Sequence, residues 1–165
     1  MVRIGSFSKS VAPGLRLGWV EAPEDVVARL TDRGFVDSGG GVNHTNALAM
    51  AWFLSSSGYA RHVASVRSVY RVQRDALVAA VRRYLPGASF EVPAGGWFLW
   101  LRLPSVVDAG GLLARAEAAG VSYVEGRRFF VDGRGGEFVR LSFSMLEPDL
   151  LAEGARRLGA AVAPR

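Results

Sequence analysis

Gly5-Ser6-Phe7-Ser8-Lys9-Ser10-Val11-Ala12-Pro13-Gly14-Leu15-Arg16-Leu17-Gly18-Trp19 gathers small hydroxyl residues, a lysine and an arginine around a Pro-Gly turn. Pro-Gly is a strong turn signal. The stretch therefore reads as a strand ending near Ser6, a loop through Ala12-Pro13-Gly14, and a second strand from Leu15 to Val20. Serine hydroxyls, glycine-flanked backbone and a guanidinium fork can together hold a phosphate. A lysine beside that phosphate can form an imine with a carbonyl cofactor. Spacing alone suits an exposed turn of ordinary polar residues better, because the pattern is neither a Walker A nor a dinucleotide-binding glycine motif. Lys9 is the only lysine among twenty Lys and Arg residues. A bias toward arginine codons accounts for the scarcity, yet the one position that keeps lysine lies between serines and beside a Pro-Gly turn, and arginine cannot serve as an amine nucleophile.

Outward from this stretch, Pro23-Glu24-Asp25 opens a helix, with proline in its first turn and acids at the positive end of the dipole. Val26, Val27 and Leu30 give it an apolar face, and Gly34 is its expected stop. Ser38-Gly39-Gly40-Gly41 reads as a flexible break, followed by a largely apolar helix from Asn43 to Ser56 that is expected to be buried. Ser57-Gly58 interrupts. From Tyr59 to Tyr84, Val63, Val66, Tyr70, Leu77, Val81 and Tyr84 fall at helical spacing. Such a helix spans on the order of 40 Å and can link two domains; Pro86-Gly87 ends it. Beyond it, strand and helix alternate: strand Trp97–Leu103, helix Leu112–Ala119, strand Val121–Val124, strand Phe138–Met145 and a helix from Pro148 to about Ala161. That order argues for an α/β or α+β layer. Val139, Leu141, Phe143 and Met145 share one face of the last strand, and Arg140, Ser142 and Ser144 the other.

Composition narrows the function classes. Half of the 165 residues are hydrophobic and 21% are charged, a globular balance. Without cysteine there are no disulfides or thiolate metal sites. His44 and His62 lack a third ligand at metal spacing. No apolar run reaches the roughly 18–20 residues of a membrane span, and the polar Ser-Lys stretch after Met1–Gly5 is unlike a signal peptide. The net charge is +5, but the arginines are dispersed, which suits a solvated surface better than a phosphate-tracking stripe. The expectation is a cytoplasmic protein without membrane or nucleic-acid partners. Trp97, Phe98 and Trp100 read as core on a central strand rather than a base-stacking platform.

Ser6-Phe7-Ser8-Lys9 followed by Ala12-Pro13-Gly14-Leu15-Arg16-Leu17-Gly18-Trp19 closely resembles the cofactor-lysine segment of fold type I, class I/II aminotransferases, which depend on pyridoxal 5'-phosphate (PLP). The nearest group is the α-aminoadipate, kynurenine and aromatic aminotransferases, with the aminotransferase-like domains of certain bacterial regulators. The resemblance continues through Gly39-Gly40-Gly41-Val42-Asn43-His44, Tyr70, Arg74-Asp75-Ala76-Leu77, Pro93-Ala94-Gly95-Gly96-Trp97-Phe98-Leu99-Trp100-Leu101 and Val139-Arg140-Leu141-Ser142-Phe143-Ser144. It implies that Lys9 is the Schiff-base lysine, that Ser6, Ser8 and Arg16 hold the PLP phosphate, and that Arg140 clamps the substrate α-carboxylate. By pattern alone, Arg140 equally suits a solvated strand face. Glu125-Gly126 departs from the family, where proline usually precedes that glycine.

The resemblance implies a fold type I PLP-transferase: residues 1–58 as the C-terminal remainder of the large domain, and residues 59–165 as a linking helix and the small α/β domain. Its substrates would be an α-amino acid and a 2-oxo acid. In the family, the acid pairing with the pyridine nitrogen precedes the lysine, whereas every aspartate here follows Lys9. The expectation is a chain that lacks an N-terminal half, holds PLP poorly alone, and associates as a homodimer or with that missing half. Another fold type I PLP chemistry, or a non-catalytic association module, is the alternative.

Overall fold

The computed structural model describes residues 1–39, 41, 43–104 and 107–163. Gly40 and Val42, part of the expected glycine-rich break and of a family motif, lie outside the described residues. The chain divides into two compact units, Met1–Arg67 and Ser68–Arg165.

In the first unit, β1 (Arg3–Ser6) pairs antiparallel with β2 (Gly18–Glu21), with Arg3 opposite Glu21 and Ser6 opposite Gly18. The second strand starts three residues later than expected. Pro13–Leu15 forms a 3-10 turn, and Arg16 takes left-handed backbone angles (φ 50°, ψ 46°), so the chain becomes extended only after it. Two close approaches explain the glycines of this ribbon. A Cβ on Gly18 would lie 2.8 Å from the Gly5 carbonyl oxygen, and one on Gly5 would overlap the Trp19 indole.

Helix α1 (Glu24–Thr31) begins where the proline and acids place it. It ends at Thr31, and Gly34 does not stop it. Gly34 instead opens a short helix, α2 (Gly34–Gly39), which takes in Ser38 and Gly39 of the expected break, while Gly41, at φ 92°, lies outside any helix. The Ser38 hydroxyl donates to the Gly34 carbonyl at 2.6 Å, tying that turn together. Helix α3 (His44–Ser55) is present but not buried as expected. Met50 alone among its residues is buried, while Leu48, Trp52 and Leu54 are exposed. An all-round apolar helix is buried only where other elements cover every side, and this unit covers one.

The long helix α4 (Ser57–Tyr84) starts two residues early, because the Ser56 hydroxyl accepts the Gly58 N–H and caps it rather than breaking it. The division between the units falls within α4.

The second unit is built on a three-stranded antiparallel sheet in the order β3 (Phe98–Arg102), β5 (Phe138–Ser142), β4 (Val124–Glu125). Leu99, Leu101, Val139 and Leu141 point to one face and are buried. They form one core with Leu77 and Val81 of α4, Leu112 and Ala116 of α5 (Ala109–Ala118), and Leu151 and Leu158 of α6 (Pro148–Val162). The helices thus supply the layer opposite the sheet, as a two-layer domain requires.

This register corrects one expectation. Trp97, Phe98 and Trp100 are not core, and their strand is not central. β5 is the central strand, and the period-2 alternation buries Leu99 and Leu101, leaving Phe98 exposed and Trp97 and Trp100 half-buried. The alternation of β5 holds through Phe143, but Met145 is exposed, because the strand has ended and the chain is turning toward α6. Gln73 is the buried polar residue of α4; its amide donates to the Leu146 carbonyl at 3.0 Å and fixes that turn.

Candidate active site

The ends of β1 and β2 bring Ser6 beside Gly18, and the Phe7 N–H donates to the Leu17 carbonyl at 3.0 Å. That bond closes the base of a loop carrying Ser8, Lys9 and Arg16. Inside it, the Val11 and Ala12 N–H groups both donate to the Phe7 carbonyl, making a tight turn directly after Lys9. The buried Phe7 ring anchors the turn, and Lys9 is exposed. The Ser8 N–H donates to the Ser6 hydroxyl at 3.2 Å, which orients that hydroxyl within the loop. The structure therefore places Ser8, Lys9 and Arg16 on one closed loop of the first unit, with Ser6 at the end of the strand that enters it.

Arg16 is held on both sides of its own backbone. Its left-handed conformation costs a non-glycine residue roughly 1–2 kcal/mol. Three side-chain donations offset that cost. Asn43 Nδ2 reaches the Leu15 carbonyl at 2.7 Å and the Arg16 carbonyl at 3.2 Å, and Asn46 Nδ2 reaches the Leu15 carbonyl at 3.2 Å. The guanidinium donates one N–H back to the Pro13 carbonyl at 3.2 Å and is exposed. Asn43 and Asn46 were not singled out from the sequence for any role; only their distance across the fold reveals them.

Arg140 lies in the second unit, on β5, opposite Trp100 on one side and Val124 on the other. Its guanidinium carbon is 4.0 Å from the centre of the Phe98 ring and 4.7 Å from that of Phe129, so two aromatic faces grip it. Among the described residues its Nε is buried without a hydrogen-bond partner. A cleft of about 210 Å³ opens there, lined by Phe98, Ser122, Tyr123, Val124, Arg140 and Ser142. Burial, and then the Glu125 carboxylate, raise the Tyr123 phenol above its ordinary pKa, and its hydroxyl donates to the Ala109 carbonyl. Tyr123 is a neutral strut at physiological pH rather than an acid or base. Among the described residues no cluster of three or more His, Cys, Asp or Glu could hold a metal ion, and no helix is long and apolar enough to cross a membrane.

Residues 1–158 match the family model described as aminotransferase class I and II. The chain belongs to the class I and II aminotransferases. It is 32% identical to the aromatic-amino-acid aminotransferase 1 of Thermococcus litoralis, over 96% of this chain and 38% of that protein. It superposes on the crystal structure of the α-aminoadipate aminotransferase of Thermus thermophilus, complexed with N-(5'-phosphopyridoxyl)-L-leucine, with a TM-score of 0.86 at 33% identity, covering 98% of this chain and 41% of that one. It is also 35% identical to the HTH-type transcriptional regulator TauR of Rhodobacter capsulatus, over 98% of this chain and 34% of that protein. The chain thus spans about two fifths or less of the length of these relatives.

The fold is that of fold type I PLP aminotransferases, and these matches point to PLP as the cofactor. The donor set of the β1–β2 loop fits that group. Lys9 offers an amine on the same closed loop as the Ser8 hydroxyl and the Arg16 guanidinium, with the Ser6 hydroxyl at the loop's entrance, the groups an aldehyde and a phosphate call for.

Proposed function

We propose that this chain is the C-terminal portion of a PLP-dependent aminotransferase that moves an amino group between an α-amino acid and a 2-oxo acid. Residues 1–58 are the remainder of its large domain, and residues 59–165 its linking helix and small domain. Lys9 is the lysine that carries the cofactor covalently. Ser6, Ser8 and Arg16 hold its phosphate, and Arg140 holds the substrate carboxylate.

One observation carries the reading: Ser8, Lys9 and Arg16 share a loop closed by Phe7 and Leu17, and Ser6, whose hydroxyl accepts the Ser8 N–H, ends the strand at its base. PLP, when bound, supplies the electrophilic carbonyl and the electron sink. The protein's share is positional. A guanidinium and short hydroxyls would neutralise and orient a phosphate, and that anchoring would present the cofactor's carbonyl to Lys9 Nζ. Once freed by the incoming substrate amine, Lys9 Nζ would take the proton from the substrate Cα and hand it to the cofactor carbon rather than back to Cα. The planar Arg140 fork, flattened between Phe98 and Phe129, suits bidentate hold of a carboxylate. The exposed apolar residues of α3 favour association with a second copy or with a preceding segment of the same protein.

The match to a transcriptional regulator favours a second reading, a non-catalytic association module of an aminotransferase-like protein. Lys9→Ala separates the two. In the complete protein, the catalytic reading expects loss of the cofactor's visible imine absorbance and of amino transfer. Unchanged absorbance and transfer in that variant would refute it.

A further inference from the structure

Arg16 is the phosphate ligand in the reading above, and it ends the Pro13–Leu15 turn in a left-handed backbone (φ 50°) that its own turn supports only through the Pro13 carbonyl. Its N–H contact to the Pro13 carbonyl is long, at 3.4 Å. The short contact at this corner comes from elsewhere in the sequence. Asn43 sits at the entrance of α3, twenty-seven residues downstream of Arg16, and its amide spans the Leu15 and Arg16 carbonyls at 2.7 and 3.2 Å. Asn46, one turn further along α3, adds a donor to the Leu15 carbonyl at 3.2 Å.

We infer that Asn43, seconded by Asn46, is a positioning residue: it fixes the Arg16 backbone so that the guanidinium meets the cofactor phosphate. The inference rests on the proposed phosphate role of Arg16 and deepens it. The physical argument concerns where donors are needed. Consecutive carbonyls at a left-handed corner point outward and need donors, and a side-chain amide carries two N–H groups on one rigid plane. Aspartate in its place would turn acceptors toward acceptors, and alanine would leave the Arg16 carbonyl to water and the Leu15 carbonyl with Asn46 alone. Either change lets the corner relax toward the right-handed conformations arginine prefers, and the guanidinium swings away with it. The hydroxyls of Ser6 and Ser8, and Lys9, lie on the other limb of the loop. Loss of Asn43 should therefore weaken recognition of the phosphate while leaving the amine able to react.

The test compares PLP with pyridoxal, the same aldehyde without phosphate, on this full chain. Each is titrated, trapped with borohydride, and the label at Lys9 quantified by peptide mapping; the ratio of the two apparent affinities at Lys9, divided by the same ratio at the N-terminal amine to cancel the internal hemiacetal of pyridoxal, reads phosphate recognition and is the preference meant below. Asn43→Ala is expected to reduce the PLP-over-pyridoxal preference about three- to tenfold, the size of one or two net neutral hydrogen bonds. In an Arg16→Ala background, the same change is expected to have no further effect.

Three results would overturn the inference. A wild-type preference that survives Asn43→Ala intact leaves Arg16 as the phosphate ligand but removes Asn43 from its positioning. Equal weakening of both aldehydes makes Asn43 merely structural. A wild-type chain with no preference for PLP over pyridoxal overturns the phosphate-site reading itself, and this inference with it. Should Asn43→Ala fail to fold, Asn46→Ala, which removes one of the three donations, is expected to give a smaller loss of preference, and an unchanged ratio there overturns the inference as well.

Discussion

Replacing Arg140 by lysine keeps the positive charge on β5 but removes the planar fork and its stacking between Phe98 and Phe129, 4.0 and 4.7 Å from the guanidinium carbon. A lysine ammonium is a point charge on a flexible stem; it can approach one ring face but cannot present two parallel N–H groups to a carboxylate. The loss is about one charge-assisted hydrogen bond, roughly 1.5–3 kcal/mol. At about 1.4 kcal/mol per decade, that is roughly 10- to 150-fold in the affinity for an amino acid or 2-oxo acid. The cofactor donors proposed above, Ser6, Ser8, Lys9 and Arg16, do not include Arg140, so PLP affinity should be nearly unaffected. Calorimetric titration of a 2-oxo acid into the complete PLP-loaded enzyme and its Arg140→Lys variant reads the first quantity, and PLP titration into the apo forms reads the second. Equal loss of both affinities would make Arg140 structural. Unchanged 2-oxo acid binding would remove it from the substrate site.

The ribbon beneath the loop gives a contrast between two glycines. Gly18→Ala meets the Gly5 carbonyl oxygen at 2.8 Å, which cannot move without parting the strands, while Gly5→Ala meets the exposed Trp19 ring, which can rotate away. The first should destabilise by about 1–3 kcal/mol in urea unfolding and the second by clearly less, since overpacking costs what the neighbour cannot yield; the reverse order would contradict the register. In α6, hydrogen bonds from Arg156 and then Arg157 lower the Glu153 carboxyl to about 2. A depressed carboxylate contributes stability that is complete above its unfolded value, about 4.3, and is lost as pH falls through the folded value. Glu153→Gln should therefore flatten the acid limb of stability between about pH 4.3 and 2, and an NMR midpoint near 4.3 would refute the pairing. Leu48→Ser with Trp52→Ser on the uncovered face of α3 should shift the chain toward monomer in sedimentation; an unchanged distribution would place association elsewhere.

Local signals were legible in the sequence, and contacts between distant segments were not. Pro23-Glu24-Asp25 opened α1 and the alternation of Val139, Leu141 and Phe143 gave the buried face of β5, because dipole ends and pleat are set by neighbours in sequence. The aromatic weight of Trp97, Phe98 and Trp100 misled about the neighbouring strand. Large rings signal burial, but pairing to β5 put the two leucines between them on the core face. Gly34 and Gly39 read as breaks because glycine propensity is only a weak prior, and one side-chain hydrogen bond was enough to support a short helix. At the site, the residue types of the β1–β2 loop pointed to a phosphate and an amine. Two features came only from the fold: the Asn43 clamp on Arg16, across twenty-seven residues, and the Phe129 face on Arg140.

The central claim is that Lys9 is the cofactor lysine, and borohydride reduction after incubation with PLP, followed by peptide mapping, tests it most directly. Lys9 is the only lysine, so the competing primary amine in the chain is the N-terminus. The account predicts phosphopyridoxyl label on the peptide containing Ser8-Lys9-Ser10, with saturation at lower PLP concentration than the N-terminal peptide and loss of that label in Lys9→Ala. Label confined to the N-terminal amine, in this chain and in the complete enzyme, would contradict it.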